Sequence, residues 1–160
     1  MYEQIASNKW RSYGLILVFI LVVIGMGYLF AESMGYPWIL PLALILAVVG
    51  PIASYYSGDK MVLRISQARP ANPREHAFLV NSVEGLALAA GLPVPDIYVI
   101  DDTAPNAFAT GRDPEHGIIC VTTGLMQKLN RVELEGVVAH EMAHIKGYDI
   151  RLMTLVSILA

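Results

Sequence analysis

Cysteine is nearly absent from this 160-residue chain, and charge is scarce. The single Cys120 excludes an intramolecular disulfide, and one thiol cannot build a cysteine zinc site. Set among Ile and Val, Cys120 reads as a small buried apolar residue of a strand rather than a nucleophile. Charged residues make up 16% of the chain, where an ordinary soluble domain carries about a quarter. The 11 Lys and Arg against 14 Asp and Glu leave a net charge of −3 without any basic cluster, so no nucleic-acid partner is expected.

Apolar residues take the place of charge. They make up 55% of the chain, with a mean hydropathy of +0.51, and they concentrate in the first sixty residues. After Lys9 and Arg11, residues 12–31 carry no charge, a run of 20 residues that is long enough to cross a hydrocarbon core of about 30 Å. A cleaved signal peptide would have a shorter core and a small-x-small cleavage site, which Leu29, Phe30 and Ala31 do not supply. A second apolar run covers residues 38–57. Pro41, Gly50 and Pro51 inside it are tolerated in membrane helices, and Tyr28, Tyr36, Trp38, Tyr55 and Tyr56 sit at the ends as interface aromatics do. Lys9 and Arg11 flank the first run, Lys60 and Arg64 follow the second, and the loop between carries only Glu32. The expectation is a two-helix transmembrane hairpin over residues 1–60 with both ends cytoplasmic.

Residues 61–149 read as a cytoplasmic α+β unit. Two prolines make 67–73 a linker. An apolar stripe predicts a helix over 74–90, ended by Gly91, with His76 at its start as a surface residue. A short β-branched and aromatic strand follows at 96–100. Asp101 and Asp102 after it read as turn residues rather than a metal pair. Residues 106–111 lead into a turn through Asp113, Pro114 and Glu115 that holds His116 as a solvated residue. A second strand at 117–122 and a short helix over 123–129 complete the unit.

The chemistry is carried by residues 130–149, read as one helix. His140 and His144 lie four residues apart, one turn along the same face, so two imidazoles can reach one metal ion. Zinc accepts such ligands, and the intervening Glu141 can act as general base on a water held by the metal. Chance produces this spacing in roughly one in 200 chains of similar composition, so the context has to strengthen it. Asn130 supplies an N-cap with Glu133 three residues on, and Gly147 supplies a C-terminal stop with Lys146 near the negative end of the dipole.

These motifs, taken together, resemble the HtpX-type membrane zinc metalloproteases. The likeness rests on the double-span start, Pro-Asn-Ala-Phe-Ala-Thr-Gly-Arg at 105–112, Val-Thr-Thr-Gly-Leu at 121–125, and Glu-Leu-Glu-Gly-Val-Val-Ala-His-Glu-Met-Ala-His-Ile at 133–145. It implies a zincin-like fold, zinc held by His140, His144 and a glutamate further along, and Glu141 as the base. It also implies cleavage of misfolded or surplus membrane proteins at the cytoplasmic face of the cell membrane. In zincins a sheet edge beside the active helix pairs with extended substrate. By resemblance, Asn106, Ala107, Phe108, Ala109, Thr110 and Gly111 are candidates for that edge, as is the 117–122 segment.

One departure stands out. The last acid in the chain is Asp149, on the far side of an ideal helix from His144 and roughly 7.5 Å along it, a poor third ligand that reads as a helix anchor. Residues 150–160 are about half a spanning helix, so the expectation is a chain cut at the start of a third span, before the third ligand. Two other readings compete with the enzyme: a non-catalytic membrane scaffold, and a partner-binding membrane protein whose histidine helix is structural. Metal content followed by a peptide-cleavage assay separates them.

Overall fold

The computed structural model describes residues 2–150, so the expected third span lies, Ile150 apart, outside the described residues. The charge-free run forms α1 (Tyr2–Met34), which ends at Gly35 in the left-handed region at φ 69°. Helix α2 (Ile39–Ile65) packs back along α1, with Gly27 against Ala43 and Gly50 against Phe19, an antiparallel pairing. A Cβ on Gly27 would collide with that of Ala43, so this contact needs a glycine. Ala43 and Ala47 are buried between the helices, whereas Leu17, Leu21, Val22, Leu29, Leu44 and Ile45 face outward. Small residues inside and large apolar ones outside reverse the pattern of a soluble helical pair.

Among the described residues, only Trp10–Met34 is by itself long and apolar enough to cross a bilayer. Helix α2 reaches that length as two limbs, Ile39–Ala53 and Tyr55–Ile65, which meet at 68° just after Pro51, a residue that removes one helical hydrogen bond. The second expected span, 38–57, is therefore not a straight helix, and α2 continues through Asp59 and Lys60 to Ile65.

A four-stranded sheet follows in the spatial order β1-β2-β4-β3. Strand β1 (Arg69–Pro70) pairs antiparallel with β2 (Asp96–Ile100), so part of the segment read as a linker is an edge strand. Pro70 is tolerated there because an edge strand leaves one side of its backbone unpaired. Strand β4 (Ile118–Thr122) lies parallel to β2 and antiparallel to β3 (Ala107–Thr110). With neighbours on both sides, all five β4 residues are buried, matching their unbroken apolar sequence.

Helix α3 (Ala77–Ala90) buries Leu79, Val83 and Ala87 at four-residue spacing and ends at Gly91 in the left-handed region. The short α4 (Thr123–Lys128) is capped by the Thr122 hydroxyl, and α5 (Arg131–Gly147) buries Leu134, Val138, Met142 and Ile145 on one face. These side chains meet Val99, Ile119 and Val121 of the sheet in one core. Each fully buried aliphatic contributes about 1.5–3 kcal/mol relative to exposure. Lys146 donates to Ala90 O at 2.9 Å, so it serves the C-terminus of α3 rather than its own helix alone.

Candidate active site

Helix α5 begins with a complete capping box. Asn130 Oδ1 accepts from the Glu133 amide at 3.1 Å, and Glu133 Oε2 accepts from the Asn130 amide at 2.8 Å. Its buried stripe faces α3 and the sheet, which leaves His140 exposed and Glu141 and His144 partly exposed on another face. His140 Nε2 and His144 Nε2 lie 3.2 Å apart with their rings nearly perpendicular. Two nitrogens bound to one tetrahedral zinc at about 2.0–2.1 Å would be about 3.3–3.4 Å apart, so the donor pair fits such an ion. Among the described residues, no third His, Cys, Asp or Glu joins them as a metal-ligand group.

Glu141 points to the sheet. Its Oε2 accepts from the Ala109 amide at 2.9 Å, which joins the acid of α5 to β3. The Ala109 amide is directed away from β4, because β3 is one of the two edge strands and spends this donor on Glu141. Of the candidate edge residues, Ala107, Phe108, Ala109 and Thr110 form β3. Asn106 leads in, exchanging backbone contacts with Thr122: the Thr122 amide donates to Asn106 O, and the Asn106 amide donates to Thr122 Oγ1. Gly111 follows at φ 131° with its Cα packed against the His116 carbonyl, where any side chain would collide. The 117–122 segment is a different matter. It is corrected as an edge candidate, since β4 is paired on both sides and has no free backbone to offer.

Asp149 also departs from its expected place. The helix stops at Gly147, and Tyr148 takes the left-handed conformation at φ 60°, which costs a non-glycine residue roughly 1–2 kcal/mol. The turn carries Asp149 back, so that its Oδ2 lies 2.7 Å from His144 Nδ1. The helix ends at Gly147 as expected, but the left-handed cap residue is Tyr148 rather than the glycine.

A cavity of about 500 Å³ opens beside the two histidines, lined by His140, Ala143, His144, Gly147 and Asp149 together with Ser7 and Arg11 of α1. In the sequence, Arg11 reads only as a positive flank that orients the membrane segment. No local pattern could have linked it to residues more than a hundred positions away.

The remaining titratable groups lie elsewhere. Asp102 Oδ1 accepts from the Ala104 amide at 2.9 Å, and Asp101 accepts from Arg69 at 3.1 Å, which is turn and strand-end chemistry. His116 is exposed and bonded through Nδ1 to Asp113 at 2.6 Å, so it is a partnered turn residue rather than a merely solvated one. The His76 side chain is only 8% exposed, which corrects its reading as a surface residue. Its Nδ1 accepts from the Asn72 amide.

The sequence profile described as peptidase family M48 matches residues 73–160. The chain is 46% identical to the "Protease HtpX homolog" of Thermoanaerobacter pseudethanolicus, over 100% of this chain and 54% of that protein. It is 47% identical to the protein of that name from Caldanaerobacter subterraneus subsp. tengcongensis, over the same shares, and 44% identical to that of Tropheryma whipplei, over 98% and 53%. The chain thus spans about half the length of the curated relatives it matches. The profile covers more than half of the chain and takes in both β3 and the histidine helix, and the chain belongs to peptidase family M48.

Proposed function

We propose that the protein acts as a membrane-bound, zinc-dependent endopeptidase on extended segments of misfolded or surplus membrane proteins. The observation that carries this is one cluster: two imidazole nitrogens 3.2 Å apart, with Glu141 between them in sequence and bonded to the Ala109 amide of β3. Membership of a peptidase family and likeness to proteins named as proteases support it. In this reading residues 1–60 anchor the chain, 61–149 form the catalytic part on the cytoplasmic side, and both the lipid bilayer and peptide substrates are partners.

His140 and His144 would hold the ion through Nε2. A bound Zn²⁺ supplies Lewis acidity toward the scissile carbonyl. The third ligand expected from the resemblance is not among the described residues, and the roles that follow belong to residues 106–141 of this chain. Glu141 takes a proton from the attacking water and delivers it to the leaving amine, so one carboxylate serves as base and then acid. Asn106, Ala107, Phe108, Ala109, Thr110 and Gly111 form the segment for a substrate strand, with Ala107 and the Ala109 carbonyl as the groups left to pair, since the Ala109 amide is held by Glu141. Backbone pairing gives affinity with little sequence preference. The Ala109–Glu141 bond ties that edge to the base, so a paired substrate lies beside the proton acceptor.

The test is Glu141→Gln in the whole protein, purified in detergent and assayed on casein and a quenched peptide. Loss of a positioned base lowers the rate by at least about 100-fold, with zinc content unchanged. Cleavage at the wild-type rate would remove Glu141 from the mechanism, and a wild-type protein that binds zinc without cleaving either substrate would favour the scaffold reading.

A further inference from the structure

His144 has two ring nitrogens with different partners. Nε2 faces His140 Nε2 at 3.2 Å, while Nδ1 lies 2.7 Å from Asp149 Oδ2. The two side chains of the second contact are each 27% exposed, so it is shielded from much of the solvent. Asp149 Oδ1 is buried and meets no donor among the described residues. A carboxylate that leaves one oxygen buried and unbonded is poorly placed as a helix anchor, and its one hydrogen bond to a side chain goes to His144.

A neutral imidazole has one N–H and one lone pair, and an ionised carboxylate only accepts. The Asp149 contact therefore requires the proton on His144 Nδ1, which leaves the Nε2 lone pair free and aimed at the point shared with His140. Without that partner the ring can carry its proton on Nε2, where it blocks a ligand bond, and can rotate out of line. The left-handed turn at Tyr148 is what brings the carboxylate round to Nδ1, since an uninterrupted helix would carry it away.

We propose that Asp149 is a positioning residue that fixes the tautomer and orientation of His144 for metal binding, a role resting on the metal reading above. It touches neither substrate nor metal and acts only through His144. The test uses the whole protein in detergent, labelled with ¹⁵N-histidine. In the metal-free wild type, His144 carries its proton on Nδ1. Asp149→Ala redistributes the proton toward Nε2 and weakens Zn²⁺ affinity, measured by competition with a chromogenic chelator, by about 10–100-fold. Asp149→Asn, whose amide oxygen still accepts from Nδ1–H, keeps the tautomer and loses less affinity. A purely structural role would not produce that ordering, and if the alanine variant fails to fold the retained Nδ1 tautomer of Asp149→Asn against that of the wild type still tests the proposal.

A wild-type His144 protonated on Nε2 overturns the proposal, as does a folded Asp149→Ala protein with wild-type zinc affinity. If the wild type has the expected tautomer and binds no zinc, the metal reading itself falls and takes the proposal with it.

Discussion

Burial inside β4 holds the Cys120 thiol in its protonated form, with its pKa pushed up to about 12. An unfolded cysteine ionises near about 8.5. The native state therefore keeps a proton that the unfolded chain gives up, and this contribution to stability is complete below about pH 8.5 and lost as pH rises toward about 12. Thermal midpoints measured between pH 8 and 11 are expected to fall more steeply for the wild type than for Cys120→Ala. A maleimide at pH 8 should label Cys120 only once the protein unfolds. Single residues were legible in the sequence where their surroundings are local. Cys120 lies within an unbroken apolar strand, and Asp102 bonds an amide two residues away. His76 was misread as a surface residue: its side chain is only 8% exposed, with Asn72 and Glu75 of the preceding turn on its two ring nitrogens.

Helix α5 depends on its cap for a defined start. Asn130→Ala removes the bond from Asn130 Oδ1 to the Glu133 amide and, with it, half of the capping box, at a cost of about 1 kcal/mol. For a chain of this size the thermal midpoint should drop by about 2–4 °C, with the helix still formed. An unchanged midpoint would mean that core packing alone sets the helix start. The beginning of α5 was readable because capping is an exchange between residues three apart. The conformation that ends it was not. Gly147 has the composition of a stop, yet the left-handed residue is Tyr148, a conformation that surrounding packing has to enforce against local preference. The same limit applies to β1, two residues long and defined only by its pairing with Val99 and Tyr98.

Across the whole molecule, α1 joins the two parts that composition separates. Its outward apolar face belongs to the proposed membrane anchor, while Arg11 near its start lines the cavity beside His140 and His144. The charge distribution predicts that a reporter fused beside Glu32 lies on the non-cytoplasmic side. A cytoplasmic signal there would overturn the proposed topology. The sequence by itself determined the apolar N-terminal run, the helices α3 and α5 with strands β2 and β4, and the shared face of His140 and His144, because run length and four-residue spacing act within a few turns of chain. Only the tertiary structure decided which strands form the sheet edges, which amide Glu141 holds, and which side chain grips His144 Nδ1. Each of those depends on strand pairing between distant segments or on a strained turn, and neither is written in local periodicity.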